Sequence, residues 1–192
     1  MTKQKLELTW IGKEKRPKLE PRILVENPEK SYHAKQRVSD NDLFDNRLIF
    51  GDNLLALKAL EQEFTGKVKC VYIDPPYNTG SAFEYYDDGL EHSIWLGLMR
   101  DRLEIIRRLL AEDGLLFVQI DDNELAYLVV LMDEIFGREN HVNTICVKMS
   151  ESTGVKMTHA SKRFPMLKEY VLLYRKNIMP DLKPVKIPLD KW

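Results

Sequence analysis

The sequence is short of several things, and each shortage excludes a class of protein. Only two cysteines occur, Cys70 and Cys146, and each sits inside an apolar, strand-like run. That placement predicts two buried free thiols in a reducing compartment, not a disulfide framework. The four histidines, His33, His92, His141 and His159, have no ligand spacing with one another or with cysteine, so no metal site is expected. No apolar run approaches the ~18 residues that span a bilayer, and the N-terminal MTKQKLELTWIGKEKRPKLEP contains no hydrophobic signal core. A cytoplasmic protein with no membrane contact is the expectation. Glycine is scarce too: beyond Gly137 only Gly154 remains.

What is present describes a globular protein of 192 residues, 44% hydrophobic and 31% charged, with room for one domain and its core. The net charge of −1 hides an uneven distribution. Acidic side chains outnumber basic ones between residues 74 and 139, and the reverse holds after residue 140. A basic C-terminal quarter suits a polyanionic partner, although a solvated surface accounts for it equally well.

Residues 1–46 are rich in Lys, Glu and Pro and read as an irregular arm, with ELTWIGK (Glu7 to Lys13) as a strand or docking contact. From Arg47 strands and helices alternate. RLIF (Arg47 to Phe50) reads as a strand, NLLALKALEQEF as a helix capped by Asp52 or Asn53, and KCVYI (Lys69 to Ile73) as a second strand. A helix over about 91–111 turns at Asp113–Gly114 into the apolar strand LLFVQI. Asp121 and Asp122 read as caps of a further helix that Gly137 closes. VNTICVKM and EYVLLYRKN are strand-like, and residues 178–192 read as a linker. This alternation predicts a parallel α/β sheet over 47–177 with ligands beyond the strands' carboxyl ends, where Gly51–Asn53 and Asp74–Gly80 fall.

The second of these loops, in CVYIDPPYNTG, carries the chemistry. Asp74 offers carboxylate acceptors at a strand tip, and Pro75 and Pro76 stiffen the corner because they have fixed φ and no N–H. Tyr77 adds a flat aromatic face. Two acceptors beside a stacking surface make a receptor for a planar ring with an exocyclic amine. Such an amine is a poor nucleophile until its N–H bonds are held so that the lone pair points at an electrophile. Holding them is differential binding of the transition state combined with positioning.

IDPPYNTG resembles motif IV of the DNA amino-methyltransferases. LIFGDNLLALKAL, VYIDPPYNTGSAFEYYDDGLEHSIWLGLMRDRLEIIRRLL, DGLLFVQIDDNE and EYVLLYRKN extend the likeness to the Mod subunits of type III restriction-modification systems. The resemblance implies an α/β, Rossmann-like, S-adenosylmethionine-dependent methyltransferase fold, with the doubly wound sheet incomplete here. It implies catalysis by Asp74, Pro75, Pro76 and Tyr77, and stacking of a flipped base on Tyr77 and Phe164. Asp52, Asn53 and Asp74 would contact the cofactor, and Lys162 and Arg163 the DNA phosphates. It further implies double-stranded DNA, a homodimer of the full subunit, and a restriction (Res) helicase-nuclease subunit as partners. Its target would be adenine N6; cytosine N4 is the alternative, since both are exocyclic amines. A non-catalytic DNA-binding or assembly fragment, and methylation of a protein glutamine, are further alternatives; Asp in place of Asn before the prolines disfavours the last. The family's glycine-rich cofactor loop, expected C-terminal to DPPY, is not in this sequence, and neither is its target-recognition region. A fragment of the catalytic portion is therefore expected.

Overall fold

A computed structural model describes residues 7–32, 36, 39–40, 45–78, 91–149 and 167–183. Helix α1 (Asn53–Phe64) leads to strand β1 (Val68–Ile73), helix α2 (His92–Leu109) and strand β2 (Leu110–Ile120). Helix α3 (Leu125–Phe136), strand β3 (His141–Lys148) and strand β4 (Lys168–Arg175) follow. Asp52 caps α1 by accepting from the amides of Leu54 and Leu55, both at 3.0 Å. Gly137, at φ +93°, closes α3 in a conformation that glycine tolerates.

The four strands form one sheet in the order β1-β2-β4-β3. β1 and β2 are parallel, joined through α2, whereas β4 runs antiparallel to both β2 and β3. The expected all-parallel sheet is thus a mixed one. The amide of Met149 donates to the Leu167 carbonyl at 2.8 Å, so the polar stretch between β3 and β4 begins and ends at one point. That makes the pair a wide hairpin, and hairpin neighbours must be antiparallel.

One face of the sheet carries the core. Leu116, Val118, Ile120, Leu172 and Tyr174 meet Trp95, Met99, Leu103 and Ile106 of α2 and Leu128, Leu131 and Met132 of α3. α1 packs on α2 through Leu54, Ile105 and Leu109. Register places Cys70 and Tyr72 beside Leu115 and Phe117 on the opposite face, which no described helix covers. Cys70 is therefore exposed, and so is Cys146 on edge strand β3. Both depart from the buried thiols expected of apolar runs, because each run has only one covered face or sits at the sheet's edge.

Three further expectations change. RLIF is not a strand: it pairs with nothing in the sheet, and Leu48 and Phe50 are fully exposed. Asp113–Gly114 is not a turn before β2 but an irregularity inside it. Val68 pairs with Leu110 and Cys70 with Leu115, so the extra residues bulge. A Cβ at Gly114 would lie 2.8 Å from the Val68 carbonyl oxygen and 2.9 Å from that of Ala111, both rigid backbone. Asp121 and Asp122 do not cap α3. Asp121 accepts from the amide of Asn123 at 2.9 Å, and Asp122 pairs with Lys168 at 2.7 Å.

Part of the N-terminal arm docks on the helices. Arg100 is buried and donates to the carbonyls of Lys13 and, at 3.1 Å, Lys15. Glu134 of α3 accepts from the Leu8 amide at 3.1 Å and from Lys13 Nζ at 2.8 Å. Trp10 lies under Arg100 and Lys13, whose cationic groups stand 5.5 and 5.3 Å from its ring centroid. ELTWIGK is thus a docking contact. Among the described residues no helix is long and apolar enough to cross a membrane.

Two substitutions test these features. Gly114→Ala is expected to destabilise the fold by about 1–3 kcal/mol, because the methyl meets backbone that cannot move aside. Arg100→Ala is expected to cost about 2–3 kcal/mol by removing charge-assisted bonds to two arm carbonyls and to Asp101. Denaturant midpoints measure both, and protease cleavage within residues 7–16 should accelerate only in the second.

Candidate active site

β1 ends at Ile73 and delivers Asp74, which is exposed, to the rim of the sheet. The corner that follows is fastened from three sides. Trp95 has no exposed surface, and its indole Nε1–H donates to the Pro76 carbonyl at 2.8 Å. Among the described residues no group donates to the Pro75 carbonyl. The two proline carbonyls therefore differ: one is tied into the core, and the other remains an acceptor beside Asp74.

Tyr77 is half-buried, and its hydroxyl donates to Glu169 Oε2 of β4 at 2.9 Å. Gln119 of β2 donates to the same oxygen at 2.6 Å and accepts in turn from the Tyr72 hydroxyl. Burial, followed by the hydrogen bonds to Glu169 and Asp74, pushes the Tyr77 hydroxyl well above the usual phenol range. It stays protonated and acts as a donor. Its ring is consequently pinned at the hydroxyl end by Glu169 of β4.

Asn78 has φ +58°, the left-handed region, and its side-chain amide donates to Glu124 Oε1 at 2.6 Å. His92 Nδ1 lies 2.7 Å from the same oxygen. Asp121 directly follows β2 and is buried at 5% exposure. Burial raises its carboxyl above the normal range, although hydrogen bonds from Asn123 oppose the shift. The corner is lined by acid: Asp74 and Glu169 both reach Tyr77, and Glu169 and Asp122 also act on Asp121. Such a lining attracts N–H donors and repels phosphate.

The structure brings Asp74, Pro75, Pro76 and Tyr77 together as expected, and it adds Trp95, Glu169, Gln119, Glu124 and His92. Glu124 carried one sequence signal, a glutamate where a good helix cap would be Ser, Thr, Asp or Asn. Trp95 carried another, since a buried indole needs an acceptor. Asp52 caps α1 with Oδ1, while its Oδ2 lies 3.9 Å from Arg102; Asn53 accepts from Arg102 at 2.7 Å. Neither hydrogen-bonds to Asp74. Phe164, Lys162 and Arg163 lie outside the described residues. Among the described residues no group of His, Cys, Asp or Glu is arranged to hold a metal ion.

Comparison with known proteins identifies the chain's family. The chain is 46% identical over 142 residues to the probable type III restriction-modification enzyme HindVI Mod subunit of Haemophilus influenzae, covering 74% of this chain and 19% of that protein. It is 35% identical to the EcoPI Mod subunit of Escherichia phage P1, covering 92% of this chain and 31% of that protein. The chain thus spans between a fifth and a third of these relatives' length. Among solved structures, the M1.HpyAVI–SAM complex aligns with a TM-score of 0.48 and 14% identity, over 73% of this chain and 60% of that one. That likeness is too low to carry weight. Residues 68–192 match the family described as DNA methylase, and the chain belongs to that family.

Proposed function

We propose that this chain is the catalytic portion of a DNA methyltransferase that modifies adenine N6 within a type III restriction-modification system. The observation that supports it best is the division of labour at the corner. Trp95 occupies the Pro76 carbonyl, which leaves Asp74 and the Pro75 carbonyl as paired acceptors beside the Tyr77 ring. The pair would grip both N–H bonds of an exocyclic amine, and the ring would support the flipped base with ~1–3 kcal/mol of stacking. No strong base is needed, because the nitrogen sheds its proton readily once alkylated.

S-adenosylmethionine supplies the methyl group when bound. The described residues fit one end of it. Among the described residues Asp52 Oδ2 meets only Arg102, at 3.9 Å, and a Cβ built on Gly51 meets nothing within 4 Å, so an adenine amine can reach Asp52. No glycine-rich loop for the methionine end occurs in this sequence. Turnover would then require the remainder of the catalytic fold, and the partition into an arm at 1–46, a catalytic part at 47–177 and a linker at 178–192 is part of this reading.

The names of the relatives support the type III system, and with it double-stranded DNA and a Res subunit as partners. A homodimer and a cytoplasmic place belong to the same reading. Phosphate contacts fall to the basic residues after 140, Lys162 and Arg163 among them, because the corner itself is acidic. Phe164 is the second stacking residue. Adenine N6 is preferred over cytosine N4 because the relatives are Mod subunits; both amines fit the same acceptors.

Labelled methyl transfer to plasmid DNA tests the proposal, using this chain alone and supplemented with a Mod C-terminal portion. Supplemented protein is expected to be active, and Asp74→Ala is expected to lose about a hundredfold or more through misplacement of the amine. Tyr77→Phe should keep most activity and Tyr77→Ala should lose about 10–100-fold, as expected for a stacking contribution. Inactivity of the supplemented protein, or full activity of Asp74→Ala, would sink the reading.

A further inference from the structure

Glu124 is the most conspicuous polar group that the proposed chemistry leaves unused. Its side chain has no exposed surface, and one oxygen, Oε2, has no hydrogen-bond partner among the described residues. A buried carboxylate with an idle oxygen is costly to keep. It does not cap its own helix: the residue sits at the N-cap of α3 and makes no side-chain bond there. Among the described residues its side-chain hydrogen bonds go to Asn78 and His92.

One contact is Asn78, the residue directly after Tyr77, whose amide donates at 2.6 Å. Asn78 holds a left-handed backbone at φ +58°, which redirects the chain at the moment it leaves the tyrosine. Asparagine tolerates that conformation but does not prefer it, so a bond that fixes its side chain also fixes the turn. The other contact is His92, first residue of α2, with Nδ1 at 2.7 Å and its ring 5.1 Å from that of Tyr127 on α3. His92 lies one helical turn before Trp95, which holds the Pro76 carbonyl. The carboxylate thus joins the start of α3, the start of α2 and the exit of the corner at a single oxygen.

We infer that Glu124 is a positioning residue for the Asp74–Tyr77 corner, acting through Asn78 and His92. Its effect on methyl transfer rests on the function proposed above; its effect on the corner's geometry does not. Glu124→Met separates the two ordinary consequences of removing a buried carboxylate. It preserves volume and removes the charge, so global stability should hold or rise. The corner, released from Asn78, should loosen.

The indole N–H of Trp95 reports on the corner in the 15N-labelled chain, assigned among three tryptophans by Trp95→Phe. In Glu124→Met its signal should shift and its exchange with solvent should quicken by about tenfold, with no fall in melting temperature. Asn78→Ala, which leaves Glu124 in place, should do the same. Glycine adopts the left-handed turn unaided, so Asn78→Gly combined with Glu124→Met should bring exchange back to within about twofold of the unmodified chain. In supplemented protein, Glu124→Met should lower kcat by about tenfold and leave the KM for DNA nearly unchanged. Unchanged indole exchange in Glu124→Met, or no recovery in the double variant, overturns the inference. If the indole responds as stated while even unmodified supplemented protein transfers no methyl, the clamp stands and the function proposal fails.

Discussion

The structure depends on the requirement that a buried indole must spend its N–H. Trp95 is wholly enclosed between the sheet and the helices, and the acceptor it finds is a proline carbonyl on the neighbouring loop. Proline supplies that carbonyl without bringing an N–H of its own that would also need a partner. Hydrophobic packing of α2 and the shape of the loop after β1 are thereby one fact. Whatever holds α2 in register on the sheet also holds the acceptors at the rim.

α2 serves two other parts of the molecule in the same way. About one and a half turns beyond Trp95, buried Arg100 gathers carbonyls from the N-terminal arm, and further on Ile105 and Leu109 receive α1. The helix therefore connects arm, α1 and the Asp74–Tyr77 corner along one axis. The cost of burying a guanidinium is offset by the Asp101 carboxylate at 2.8 Å and two arm carbonyls converging on it, which is the condition under which a buried charge is tolerated. β4 plays a smaller version of this part, since Glu169 on its rim fixes the Tyr77 hydroxyl while Tyr174 at its other end closes the core.

Much of this was legible in the sequence where a strong local signal agreed with burial. α1, α3 and β1 followed from apolar spacing and from Asp52 and Gly137 at their ends, and DPPY declared itself by chemistry. The misses have physical causes. RLIF has strand composition, but pairing is decided by a neighbour, and composition does not reveal one. Asp113–Gly114 looks like a turn, because the same residues serve a bulge. Cys70 and Cys146 lie in apolar runs, yet exposure depends on which face a helix covers. Glu124 showed only as a poor helix cap, because its role comes from two residues far away in the chain, and Asn78 gave no hint beyond following a tyrosine.

The tie between the Met149 amide and the Leu167 carbonyl has an evolutionary consequence. Once both ends of a connection are fastened at a sheet edge, added length costs the strands loop-closure entropy. That grows with the logarithm of length, about 0.6 kcal/mol for each doubling. Residues can be added or removed between β3 and β4 with little penalty to the four strands. The hairpin mouth is thus a place where lineages can resize their chain cheaply, while the corner at Asp74 keeps its shape.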